Sequence, residues 1–158
     1  MTYMERAPTI DGMPQSNIPT TQSCREPVVL VIEDDLHLTD AFRIVCVCLN
    51  LAVQRLPSHA DLAAALRTHR PMAVVAEIDA AGRDGCNVLM IVAAFDRSLP
   101  VLLLTGSDPA LLGAVDAVEE IWQLTAVTTA PELGGMDEMV EFLSHAGREG
   151  SCLQLLRV

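Results

Sequence analysis

The sequence contains no lysine, and all ten of its cationic side chains are arginine. Chemistry that needs an ammonium group has no residue to supply it, because a guanidinium is planar, permanently charged and differently hydrated. Positive charge is scarce altogether: 21 Asp and Glu face those ten arginines, for a formal net charge of −11. That balance argues against sequence-independent nucleic-acid binding, which needs clustered cations against phosphate, and against electrostatic docking on anionic lipid. Long apolar runs are also missing. The charge-free stretches Ile44–Gln54 and Gly85–Phe95 fall well short of the ~18–20 residues a membrane span requires, although mean hydropathy is high at +0.35. They read as buried elements. The first residues hold no apolar signal core, so the cytoplasm is the expected location. The five cysteines, at positions 24, 46, 48, 86 and 152, form no CxxC pair. No zinc spacing exists among them, and free thiols are expected.

What is present is enough for a core. Apolar residues make up 51% of 158 residues and charged residues 20%, which fits one domain of ordinary size. Residues 1–26 are polar and proline-bearing and are expected to form a disordered arm. Residues 27–146 are expected to form the domain, and 147–158 a tail. Within the domain, Pro27–Asp35 reads as a buried strand ending in three acids, followed by a helix over Leu36–Leu49 with Leu38, Phe42, Val45 and Leu49 at helical spacing. Leu51–Leu56 is a second strand. Ser58 and Asp61 resemble a capping box opening a helix over Ala60–His69. Met72–Ile78 is the third strand, and Cys86–Phe95 the next helix. Val101–Thr105 is the fourth strand, and Asp108-Pro109 caps a helix over Ala110–Ile121. Leu124–Thr128 is the expected fifth strand, and Pro131 opens a helix over Glu132–His145 with Met136, Met139, Val140 and Leu143 as its buried stripe. Trp122 is expected in the core.

Five strand–helix repeats imply a parallel sheet covered on both faces. Ligands on such sheets bind beyond the carboxyl ends of the strands. Those ends hold Glu33, Asp34 and Asp35; then Glu77 and Asp79; then Thr105; then Thr129 and Ala130. Paired acids with a third carboxylate from a neighbouring strand are a plausible hard-cation site.

In combination these positions resemble the receiver domain of two-component response regulators. Val29–Asp35 looks like that family's first strand and acidic pair. Arg70–Gly85 looks like its third strand and following loop, with Pro71, Gly82, Asp84 and Gly85 in register, and Leu102–Gly106 looks like its fourth strand and hydroxyl residue. The resemblance covers residues 27–145. It implies a single-domain α/β fold, a flavodoxin-like (βα)5 doubly wound parallel sheet of order 2-1-3-4-5. It also implies a metal site made by Glu33, Asp34, Glu77 and the backbone carbonyl of Asp79. Three positions depart from the family. The phosphoacceptor Asp corresponds to Glu77, the Lys after the fifth strand to Ala130, and the aromatic switch residue to Val127. Asp79 could serve as acceptor only by moving Gly82, Asp84 and Gly85 out of register.

These departures point to an atypical, non-enzymatic receiver that works by protein contact without phosphorylation. Expected partners are a histidine kinase, an output protein or a second copy, met through the fifth strand and its flanking helices, with no nucleic acid and no membrane. Glu33, Asp34, Glu77 and Thr105 are expected to converge in one pocket, binding no cofactor or only weak Mg²⁺ or Mn²⁺. Two alternatives stay open: an ordinary phosphorelay receiver modified on Asp79 or Glu77, and a flavodoxin-like flavin or nucleotide binder. The second would need a small, hydroxyl-rich phosphate loop where Glu33-Asp34-Asp35-Leu36-His37 stands.

Overall fold

The computed structural model of the protein describes residues 26–34, 36–78 and 83–149. Most of the expected arm and of the expected tail lies outside these residues, as do Asp35, Asp79 and Gly82. Strands β1 (Val28–Ile32), β2 (Ala52–Leu56), β3 (Ala73–Glu77), β4 (Val101–Leu104) and β5 (Val127–Ala130) alternate with helices α1 (His37–Cys48), α2 (Leu62–His69), α3 (Arg83–Phe95), α4 (Pro109–Trp122) and α5 (Met136–Glu149). All pairings are parallel and the order is β2-β1-β3-β4-β5, as the doubly wound reading requires.

Alternation along the central strands builds two cores. Leu30, Ile32, Val74, Ala76, Val101 and Leu103 face α2, α3 and α4. Val29, Val31, Val75, Leu102 and Leu104 face α1 and α5. Both faces are covered, so β1 and β4 are apolar throughout and β3 is apolar up to the exposed Glu77 at its end, as buried parallel strands should be. Phe42, Val45 and Leu38 of α1 are buried at the spacing read from the sequence. Cys46 points into the core and Cys48 out of it, and both are free thiols. Among the described residues no helix is long and apolar enough to cross a membrane.

The chain departs from the sequence reading at its carboxyl-terminal end. β5 begins at Val127 and not at Leu124. α4 runs on through Trp122, and Gln123 closes it in the left-handed conformation, φ 56°, with its N–H donated to the carbonyls of Glu119 and Glu120. Leu124 donates its N–H to Glu119 O, and Thr125 to Arg97 O. These residues are spent on the helix end and the crossing, so pairing starts three residues later. α5 begins at Met136 and not near Glu132. Gly134 and Gly135 separate Pro131 from the helix, and the Gly135 carbonyl accepts from Glu138 N and Met139 N. The buried stripe is therefore Met139, Leu143 and Ala146, with Val140 half-buried against the same core, and Met136 is 53% exposed. Trp122, at the last turn of α4, is 38% exposed and outside the core. Before α2, Ser58 caps a short 3-10 turn, His59–Asp61, and the α-helix itself starts at Leu62.

Candidate functional site

Strand register sets one level at the carboxyl edge of the sheet. Ala76 pairs with Ile32, Glu77 with Leu104, and Leu104 with Ala130. Glu33, Glu77 and Ala130 therefore stand in one row. Glu33, Asp34 and Glu77 line a cavity of about 310 Å³, together with Ser58 and His59 from the β2–α2 turn and Ile78 after β3. Asp34 and Glu77 are exposed, while Glu33 is only 3% exposed.

A buried carboxylate needs donors, and those of Glu33 come from α1. Oε2 accepts the N–H of Leu38 and Oε1 that of Thr39, both at 2.7 Å. The residue at the N-cap position of α1, Leu36, offers no side-chain cap. The first N–H groups of a helix lack intrahelical partners, and a carboxylate there gains from the helix dipole as well. Glu33 thus satisfies two orphan donors from upstream. Such a cap is worth about 1–2 kcal/mol.

The other hold on this loop comes from β2. Arg55 stands opposite Val31 in the β1–β2 ladder. One guanidinium nitrogen donates to the Asp34 carbonyl at 2.6 Å and to the Glu33 carbonyl at 3.2 Å. Its Nε is buried and makes no hydrogen bond among the described residues. In the sequence Arg55 stands as one residue of a short strand. A signal was present: a lone cation near the carboxyl end of β2 must lie beside the acids that end β1.

Thr105 is buried beside the row but does not line the carboxylate cavity. Its hydroxyl donates to the Gly106 carbonyl at 3.2 Å, and the Ala130 carbonyl lies at 3.4 Å. Its N–H also donates to Ala130 O at 2.8 Å, tying the ends of β4 and β5 together. Ala130 and Val127 line a second cavity, of about 520 Å³, between β5 and α5. The structure thus gathers Glu33, Asp34 and Glu77 about one cavity, which Thr105, Ala130 and Val127 do not line.

Chemically, the first cavity presents exposed carboxylates and a buried one already bonded. Among the described residues no three His, Cys, Asp or Glu side chains come close enough together to hold a metal ion. Mg²⁺ demands near-octahedral oxygens, and both oxygens of Glu33 already accept helix N–H groups. The described donors therefore fit a dication poorly. The expected Asp79 carbonyl lies outside the described residues. Burial pushes the Cys46 thiol up to about 11, and such a thiol is inert.

No protein-family model matches the sequence, and no curated protein matches it either. Solved structures do resemble the fold. The beryllofluoride-activated receiver domain of NtrC superposes with a TM-score of 0.62 at 21% identity, over 80% of this chain and 98% of that one. A CheY-like response regulator receiver protein from Methanospirillum hungatei gives 0.61 at 12% identity, over 80% and 100%. The chemotaxis response regulator CheY4 of Vibrio cholerae gives 0.58 at 13% identity, over 77% and 99%. The strand order, the placement of acids after β1 and β3 and these superpositions agree, and the fold of this chain is that of a receiver domain.

Proposed function

We propose that this chain is a receiver-type module of two-component signal transduction that acts by protein contact and takes up no phosphoryl group. The observation that supports this reading is the row Glu77–Leu104–Ala130 across β3, β4 and β5. Where receiver domains place an acceptor Asp and a pairing Lys, this chain has Glu and Ala. Glu77 carries its carboxylate one methylene further out, about one C–C bond, whereas in-line attack needs reacting atoms placed near 3–3.5 Å. Phosphoryl transfer rests on positioning and on cations that offset charge on the transferring group. Ala130 offers no such cation, and the absence of lysine leaves no other residue of that kind.

The partner is a protein, either a histidine kinase, an output protein or a second copy. The side formed by α4, β5 and α5 favours such contact. β5 is an edge strand with Thr128 and Thr129 exposed, and an unpaired edge is a template for another chain. Ile121, 73% exposed, and Trp122 lie at the end of α4, and Met136 at the start of α5. The module binds and does not catalyse, needs no cofactor, and works in the cytoplasm.

The test is intact-mass measurement after treatment with acetyl phosphate and Mg²⁺, on the native chain and on Glu77→Asp. The native chain should gain no phosphoryl mass. Phosphoryl mass on the native chain, mapped to Asp79 or Glu77, would instead make it an ordinary phosphorelay receiver.

A further inference from the structure

We infer that Glu33 and Arg55 hold the β1–α1 acidic loop by internal charge, taking the place that a divalent cation would have at the carboxyl end of this sheet. Glu33 follows β1 at the level of Glu77, where an acid would face an ion. Its two oxygens are instead committed to Leu38 N and Thr39 N at 2.7 Å, inside the fold. Turning that carboxylate toward an ion would strip both donors at the start of a helix that has no other side-chain cap. A buried N–H without a partner is costly, so ligation there competes with the helix itself.

Arg55 supplies the positive charge. Its guanidinium reaches two consecutive main-chain carbonyls of the loop, those of Glu33 and Asp34. The β1–β2 ladder fixes its origin opposite Val31. An anion at the helix start and a cation on the Glu33 and Asp34 carbonyls anchor this stretch from within the chain. This deepens the phosphorylation-independent reading. It is read out by metal response and amide exchange, not by phosphoryl uptake, so failure of either leaves the other distinguishable.

The experiment compares the full chain with Glu33→Ala, Glu33→Gln and Arg55→Gln. Amide exchange and melting are followed in EDTA, MgCl₂ and MnCl₂, each balanced with KCl to the same ionic strength. The native chain should show no difference between EDTA and either dication. In Glu33→Ala the amides of Leu38 and Thr39 should exchange about tenfold faster or more, as loss of a charge-assisted hydrogen bond requires. Glu33→Gln keeps one acceptor and should fall between, which preserves the test if the alanine variant does not fold. Arg55→Gln should speed exchange in the same loop. A saturable Mg²⁺ or Mn²⁺ response of the native chain, lost in Glu33→Gln, would make Glu33 an ion ligand and overturn the inference. Unchanged Leu38 and Thr39 exchange in the folded Glu33 variants would overturn it as well.

Discussion

Glu33 and Gly85 both line the carboxylate cavity. Glu33 is bonded to the start of α1, whereas Gly85 is a matter of space. A Cβ built at position 85 would collide with the Cδ1 and Cγ1 atoms of Ile78. Ile78 is itself buried and follows Glu77 directly, so its side chain can yield only by disturbing the cavity wall. Gly85→Ala should destabilise the fold by about 1–3 kcal/mol, the usual cost of overpacking. Urea unfolding of Gly85→Ala, Ile78→Ala and the double variant checks the cause. The double variant should lose clearly less than the sum of the single ones, because contacting residues are not additive. Additive losses would place the effect of Gly85 elsewhere. In the sequence, Gly85 was legible as a residue near a turn. Its reason for being glycine is a close approach between α3 and β3, which spacing alone does not reveal.

At the scale of elements, α4 combines a well-built start with a poor end. The Asp108 carboxylate accepts from Ala110 N at 2.9 Å, and Pro109 takes the first helical position. The last turn has no basic residue, while Asp116, Glu119 and Glu120 gather near the negative end of the helix dipole. Burial, with Asp116 as a second cause, raises the Glu119 carboxyl above its ordinary 4.5. A raised acid binds its proton more tightly in the folded state than in the unfolded one. Stability contributed by this group therefore falls as pH rises through its folded range, and the penalty is absent below the ordinary value. Glu119→Gln should stabilise the protein near neutral pH by a few tenths to about 1 kcal/mol. The gain should shrink as pH falls toward the ordinary carboxylate range. Thermal melts of both chains across that range measure it, and a gain that grows on acidification would contradict the sign. The same helix marks where the sequence stopped being legible. Asp108-Pro109 announced its start because capping is local chemistry. Its end at Trp122 was hidden because Gln123, Leu124 and Thr125 are held by Glu119, Glu120 and Arg97, partly contacts of tertiary origin. That shift displaced the expected β5. Gly134-Gly135 similarly delayed α5. The strands β1, β3 and β4 were legible because both faces of each are buried and the sequence shows it as unbroken apolar runs. At the site, the acids were legible by position but not by task. No spacing rule says that Glu33 serves Leu38 and Thr39.

At the scale of the whole molecule, charge is the property that fold and sequence share most directly. A net −11 is carried on a fold whose cations are few. Arg55 is spent on main-chain carbonyls, and Arg43 meets Asp40 at 3.4 Å, both largely exposed. Exposed pairs of that kind contribute little, so the excess of acids over arginines should repel itself. Self-repulsion destabilises the compact state, and dissolved salt screens it over a Debye length of about 10 Å at 0.1 M. Raising KCl from about 0.01 M to about 0.15 M should therefore raise Tm. Each kcal/mol recovered corresponds to about 2–4 °C for a chain near this size. The dependence should fade as pH approaches the isoelectric point near 4.6, where the net charge that drives it disappears. Screening depends on ionic strength, whereas a bound dication responds to its own concentration. If the acidic loop is held by Glu33 and Arg55, MgCl₂ and KCl at equal ionic strength should give melting curves that superpose. A fall of Tm with KCl would mean that attractive pairs, and not net repulsion, dominate the surface.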